Sequence, residues 1–153
     1  MKNIDITKSF AESKYNEFLN EIENSIGNGE TTGNELNALA KKMFSNKFKG
    51  VYTSDTIPSL NSGQYAIINL DDSKHSGTHW ICVVRTINNI LVYDSFGRKT
   101  IKILPELMDS GNGVITETEN DAEQKVSEKN CGQRCLAALK VYHLYGKKAL
   151  LFI

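Results

Sequence analysis

The stretch Cys131-Gly132-Gln133-Arg134-Cys135-Leu136-Ala137-Ala138-Leu139-Lys140-Val141-Tyr142-His143-Leu144-Tyr145 decides how this chain is read. Leu136, Leu139 and Leu144, with alanines and Val141 between them, run up to Gly146 and two lysines. That pattern predicts a buried helix with a glycine stop. A cysteine on its first turn faces unpaired backbone N–H groups and the positive end of the helix dipole, and both favour thiolate over thiol. The thiolate is the form that attacks carbonyl carbon. Gly132 has no side chain to obstruct a substrate backbone nearing that sulfur, and the N–H groups of the turn can bind an oxyanion. A plainer reading makes Cys131 and Cys135, at i and i+4, two small apolar residues on the inner face of a helix. Cys135 is read that way.

A thiol nucleophile needs a base, and the histidines are His75, His79 and His143. His143 falls inside the core helix and His75 in the polar run Asp71-Asp72-Ser73-Lys74, so both read as structural or solvated. His79 stands where the loop Ser76-Gly77-Thr78 passes into Trp80-Ile81-Cys82-Val83-Val84, a β-branched run that predicts a buried strand. A base at a strand mouth is both fixed and reachable. Ile90-Leu91-Val92-Tyr93-Asp94 follows the turn Asn88-Asn89 and ends in an acid. Pairing about that turn sets Asp94 opposite Val83, on the same face as His79. Four residues of strand still separate them by about 13 Å. A bulge, strong twist or different register is needed to close that distance. Gln124, seven positions before Cys131, would add a side-chain amide donor to an oxyanion site.

Gly77-Thr78-His79-Trp80, then Tyr93-Asp94-Ser95-Phe96-Gly97, then Gln124 before Cys131-Gly132, resembles the adenovirus protease and its relatives. The wider clan includes the ubiquitin-like-protein (SUMO) proteases and the proteases of large DNA viruses, virophages and polinton-like elements. Upstream, Asn34-Glu35-Leu36-Asn37-Ala38-Leu39 and Phe48-Lys49-Gly50-Val51-Tyr52 are similar to the leader before the strands in the viral members, so the resemblance spans residues 33–145. It implies His79 as general base, Asp94 as its orienting acid, Cys131 as nucleophile and Gln124 as oxyanion donor, with Trp80 lining the site beside Gly132. It implies an α+β, papain-like or ubiquitin-like-protease fold, a small mixed sheet packed on a central helix that carries the nucleophile.

The chemistry implied is acyl transfer through a thioester. It needs no metal or cofactor, and a zinc site of Cys131, Cys135, Cys82 and a histidine lacks paired CxxC spacing. The adenovirus enzyme is the template for control by a disulfide-linked peptide and by DNA, but here Ser95 to Glu123 holds no cysteine. The 18 basic and 18 acidic residues leave no global field for nucleic acid. The local group Lys41, Lys42, Lys47 and Lys49 could touch phosphate but reads more simply as a solvated helix end. The chain also lacks the long C-terminal extension that the resemblance leads one to expect.

A length of 153 residues with 40% hydrophobic content predicts one domain able to bury its own core. Three cysteines without a signal peptide or an apolar run of membrane length predict a reducing compartment and no membrane partner. Residues 9–26 carry an apolar stripe that stops at Gly27, within a detachable helical element over 1–30. Thr32 and Glu35 form a capping box that opens a second helix. Residues 64–70 and Val114 to Thr118 read as strands, Ile101 to Met108 as a short helix, and Glu117 to Asn130 as a mobile loop holding Gln124. Ala149-Leu150-Leu151-Phe152-Ile153 reads as an edge strand or a segment filling a groove.

The resulting expectation is a single cysteine endopeptidase domain over 1–153 that processes viral capsid precursors during virion maturation at Gly-Gly-like sites. It would act in the host cytoplasm or viral factory and be packaged in the virion. The alternatives are a deubiquitinase- or deSUMOylase-like protease acting on host ubiquitin-like modifiers, and a non-catalytic peptide-binding assembly module.

Overall fold

Alternation along three apolar strands sorts the core into two layers, and the layers fix where the site falls. The computed structural model describes residues 5–74, 79–119 and 121–153. His75 and the Ser76-Gly77-Thr78 loop, including the first two residues of the Gly77-Thr78-His79-Trp80 motif, lie outside the described residues. The elements are α1 (Lys8–Ile26), α2 (Gly33–Phe44), β1 (Phe48–Thr53), β2 (Tyr65–Asn69), β3 (Trp80–Arg85), β4 (Asn89–Tyr93), α3 (Thr100–Ile103), β5 (Val114–Glu117), α4 (Cys131–Tyr145) and α5 (Lys147–Leu151). The strands form one mixed five-stranded sheet in the order β1-β2-β3-β4-β5. The two outer pairs are parallel and the two inner pairs antiparallel. Sheet and helices together make an α+β arrangement.

Tyr65, Ile67, Cys82, Val84, Leu91 and Tyr93 point to one face, where α1, α2, α4 and α5 cover them. Ala66, Ile68, Ile81, Val83, Ile90 and Val92 point to the other. The parallel outer pairs need crossovers, and residues of those crossovers, Leu60, Leu104 and Leu107, close that second face. Burial on both sides explains why β2, β3 and β4 read as near-continuous apolar runs.

Local signals set the helix ends. Thr7 accepts a hydrogen bond from Phe10 N–H at 3.1 Å and opens α1, and Gly27 at φ 83° stops it. Thr32 accepts from Glu35 N–H at 3.2 Å to open α2, and its hydroxyl donates back to Glu35 Oε1. The Tyr15, Phe18, Leu19 and Ile22 side chains of α1 lie in the same buried cluster as Leu136 and Leu139 of α4. The N-terminal helix is thus part of the main core.

Four local expectations change. Phe48-Lys49-Gly50-Val51-Tyr52, read as a leader, is edge strand β1. The helix expected over Ile101 to Met108 is split into α3 and a 3-10 turn at Pro105–Asp109. Pro105 lacks an N–H and forces Leu104 out of the helical region (ψ 64°). The apolar C-terminal run is no strand: α5 buries Ala149 and Leu150, and Ile153 follows them into the core. The β3–β4 turn moves as well. Thr86 N–H donates to Asn89 O at 2.8 Å and Asn89 N–H to Thr86 Oγ1 at 3.1 Å, so Ile87-Asn88 form the corner. Among the described residues no helix is long and apolar enough to cross a membrane.

Candidate active site

The register of β3 and β4 brings base and acid together. Cys82 pairs with Tyr93 and Val83 with Val92, which carries Asp94 level with Ile81 rather than Val83. That two-residue shift moves the carboxylate about 7 Å toward His79. His79 Nε2 and Asp94 Oδ1 lie 2.7 Å apart. Asp94 follows β4 and opens a turn closed by Gly97 N–H on the Asp94 carbonyl at 2.9 Å, with Gly97 at φ 66°. The turn folds Arg98 back onto the carboxylate, where its N–H and Nε each donate to Oδ2 at 2.9 Å. Burial pushes the Asp94 carboxyl up, but the bonds from His79 and Arg98 outweigh it and hold the group well below the usual carboxylate range. An ionised Asp94 only accepts hydrogen bonds. Nε2 therefore carries the proton, and Nδ1 is the nitrogen left for another partner. Phe96 stacks on the imidazole with ring centroids 4.8 Å apart and 28° between planes, and the Arg98 guanidinium lies over the Phe96 ring, 5.1 Å from its centroid.

Cys131 is the first residue of α4, the helix packed on β3. Its Sγ accepts the Trp80 N–H at 3.4 Å. Burial favours the neutral thiol, but hydrogen bonds with His79, Trp80 N–H and Gly132 N–H outweigh it and lower the Cys131 pKa. Burial likewise disfavours the imidazolium, and the bonds to Asp94 and Cys131 outweigh it and raise His79. Both shifts favour a thiolate–imidazolium pair. Asn130 precedes the helix without capping it, because its Oδ1 accepts from Arg134 Nε at 3.0 Å. The first-turn N–H groups of α4 are thus left without a side-chain cap, as an oxyanion site requires. Cys135, one turn on, is fully enclosed, and burial pushes its thiol well above the ordinary range.

Gln124 completes the opposite flank. The polar segment around it was expected to be mobile, yet Gln124 is only 5% exposed. The Ser95 carbonyl accepts the Gln124 N–H at 3.0 Å, and the Ser95 hydroxyl donates to Gln124 Oε1 at 2.6 Å. Gln124 Nε2 donates to Glu128 O at 2.7 Å. An amide has two N–H donors, so one remains for the cleft. His79, Trp80, Phe96, Gln124 and Cys131 line this cleft of about 250 Å³, and Thr31 forms its far wall.

The sequence-predicted His79, Trp80, Asp94, Gln124 and Cys131 therefore meet at one place. Gly132 differs from its expected part. A Cβ there would collide with Thr31 Oγ1 and lie 2.9 Å from Leu36 Cδ2, so the missing side chain admits the start of α2 rather than a substrate backbone. The Trp80 indole fixes the same wall by donating to Thr31 O at 3.3 Å. His143 shares a hydrogen bond with Tyr65 OH at 3.0 Å, away from the cleft. Sequence reasoning missed Arg98, Ser95 and Arg134. Arg98 had a signal, an arginine four residues after the acid across a glycine turn. Ser95 had none, since its partner Gln124 lies 29 residues on; Arg134 has near partners in Asn130 and Glu128, but its role shows only through Tyr15, 119 residues away. No family model matches this chain, and no curated protein matches it at a significant level.

Proposed function

We propose that this chain is a thiol endopeptidase with a papain-like arrangement of its site, in which Cys131 is the nucleophile, His79 the base, Asp94 its orienting acid and Gln124 an oxyanion donor. One observation carries the reading: a single imidazole, held by a buried carboxylate at 2.7 Å, faces the same cleft as a cysteine at a helix start and a side-chain amide. A binding module has no need of that pairing.

The steps follow from the groups. The Cys131 thiolate attacks the scissile carbonyl carbon, and the carbonyl π electrons move onto oxygen. That oxyanion takes hydrogen bonds from first-turn N–H groups of α4 and from the free Gln124 N–H. Protonated His79 gives its proton to the leaving amine as the C–N bond breaks, leaving a thioester. Water, deprotonated by neutral His79, then attacks the thioester and releases a carboxylic acid and the thiolate. Asp94 keeps the proton on Nε2 throughout and stabilises the imidazolium whenever it forms.

The small cleft favours small residues beside the scissile bond. Together with the resemblance described for the sequence, this supports capsid precursors cut at Gly-Gly-like sites, inside an infected cell, as the substrate class. The test is an activity probe bearing a Gly-Gly electrophile, run beside a capsid precursor and a ubiquitin-like precursor. Cys131→Ala should abolish labelling and cleavage while leaving the melting temperature within a few degrees, because it removes one sulfur at a helix start. Substantial cleavage by that variant would end the protease reading, and preference for the ubiquitin-like precursor would move the substrate class to host modifiers.

A further inference from the structure

Resting on that reading, we propose that Arg134 is a positioning residue for the oxyanion flank, locking the Glu123–Glu128 segment to the helix that carries the sulfur and so aiming the Gln124 amide. Arg134 lies one turn after Cys131 and is 7% exposed. Its guanidinium fork reaches three elements: Nε donates to Asn130 Oδ1 at 3.0 Å, Nη1 to Tyr15 OH of α1 at 3.1 Å, and Nη2 to Glu128 Oε2 at 3.3 Å.

Both ends of the Gln124 segment lead to this one group. At the far end, Glu128 accepts the Gln124 amide on its backbone carbonyl at 2.7 Å. Its other carboxylate oxygen accepts Lys125 N–H at 2.8 Å and its own N–H donates to Lys125 O at 2.9 Å, so the turn is rigid between the guanidinium and the amide. At the near end, Tyr15 OH bonds Tyr93 OH at 2.6 Å, and Tyr93 OH lies 3.5 Å from the carboxylate of Glu123, the residue before Gln124. The acidic groups facing Arg134 are thus Glu128 directly and Glu123 through two tyrosines. Burying an arginine is costly when an apolar residue could fill the same space. A planar fork bridging three elements instead fixes their relative register. Positioning matters because a displacement of about 1 Å at a reacting centre lowers turnover by roughly 100-fold.

The experiment compares Arg134→Gln, Glu128→Ala, Gln124→Ala and the double variant Gln124→Ala with Glu128→Ala on a fluorogenic peptide amide ending in Gly-Gly. Glu128→Ala breaks the clamp from its partly exposed end, so it serves if Arg134→Gln fails to fold. Arg134→Gln or Glu128→Ala should lower kcat by about 10- to 100-fold with KM within about 2-fold. Cys131 alkylation by iodoacetamide should keep its rate, since that displacement builds no oxyanion. In the Gln124→Ala background the added Glu128→Ala should lower kcat by less than about 3-fold, because the group it aims is gone. The side-chain amide resonances of Gln124 should move toward free-glutamine positions in either single variant. A full additional loss in the double variant, or unmoved Gln124 resonances, would overturn the proposal. If the wild type cleaves no peptide at all, the protease reading fails on its own and the Gln124 resonances alone decide the positioning of the amide.

Discussion

The two flanks of the cleft are built by opposite means. His79 and Asp94 are placed by the ladder of β3 and β4, where backbone pairing fixes both ends and the side chains need only reach across. Gln124 sits in irregular chain between β5 and α4, held by Ser95, Glu128 and a buried relay through Tyr15, Tyr93 and Arg134. The sheet flank is ionic, with a carboxylate, an arginine and an imidazole that Asp94 and Cys131 push toward the charged form. The loop flank presents a neutral amide. Charge is therefore generated on one side and received, as an oxyanion, on the other. Substitutions on the first should alter both the thiol and turnover, whereas substitutions on the second should alter turnover alone.

The largest break is at the base. His79→Ala should lower turnover by on the order of 10⁴-fold or more, and Asp94→Asn, which keeps the ring in place but favours the wrong tautomer, by roughly 100- to 10,000-fold. Both should also move the pH at which Cys131 alkylation rises upward, toward the ordinary thiol range near about 8.5. A pH profile of iodoacetamide labelling reads this directly. The sign follows from the His79 side chain, whose influence lowers the thiol pKa and vanishes with the ring. An unmoved profile in His79→Ala would mean the helix start alone activates the sulfur.

Gln124→Ala tests the other flank with a smaller effect. Turnover should fall by roughly 100- to 1,000-fold with little change in KM, as for loss of one oxyanion donor. The alkylation profile should stay where it is. Unchanged turnover would leave the first-turn N–H groups of α4 as the oxyanion donors.

This asymmetry also explains what could be read in the sequence. Helix α4 was legible from Leu136, Leu139 and the Gly146 stop, and α1 and α2 from Gly27 and the Thr32–Glu35 pair, because these signals are local. The His79–Asp94 pairing was legible in parity only. Thr86 Oγ1 accepting the Asn89 N–H drew the turn back by one residue on each side, a side-chain choice that the pair Asn88-Asn89 conceals. Gln124 looked solvated because its neighbours are polar. Its partners Ser95 and Glu128 are polar too, so Gln124 is buried among polar groups rather than in an apolar stripe, while Lys125, Val126 and Ser127 beside it stay exposed. Gly132 was read for what it would admit without knowledge that Thr31 and Leu36 come back over it, a contact made across about 100 residues of chain.

The smallest expected effect separates the flanks by charge. Glu123 sits beside Gln124, its N–H on the Ser95 carbonyl at 2.9 Å and its carboxyl near Tyr93 OH. Burial, with the nearby negative charge of Asp121, pushes that carboxyl up to about 8 from its ordinary 4.5. Between those values the folded chain holds a proton that the unfolded chain has released, so stability falls as pH rises through the window. Glu123→Gln stays neutral and still accepts from Tyr93. Its melting temperature should match wild type near pH 4 and exceed it by at least about 2 °C at pH 8. Turnover at pH 6, where both side chains are uncharged, should change by less than about 3-fold. A lower melting temperature at pH 8 would instead show that Glu123 is an ionised partner of the Arg134 relay. The loop flank would then hold a second ionic partner beside Glu128, and the contrast between the flanks would rest on backbone pairing alone.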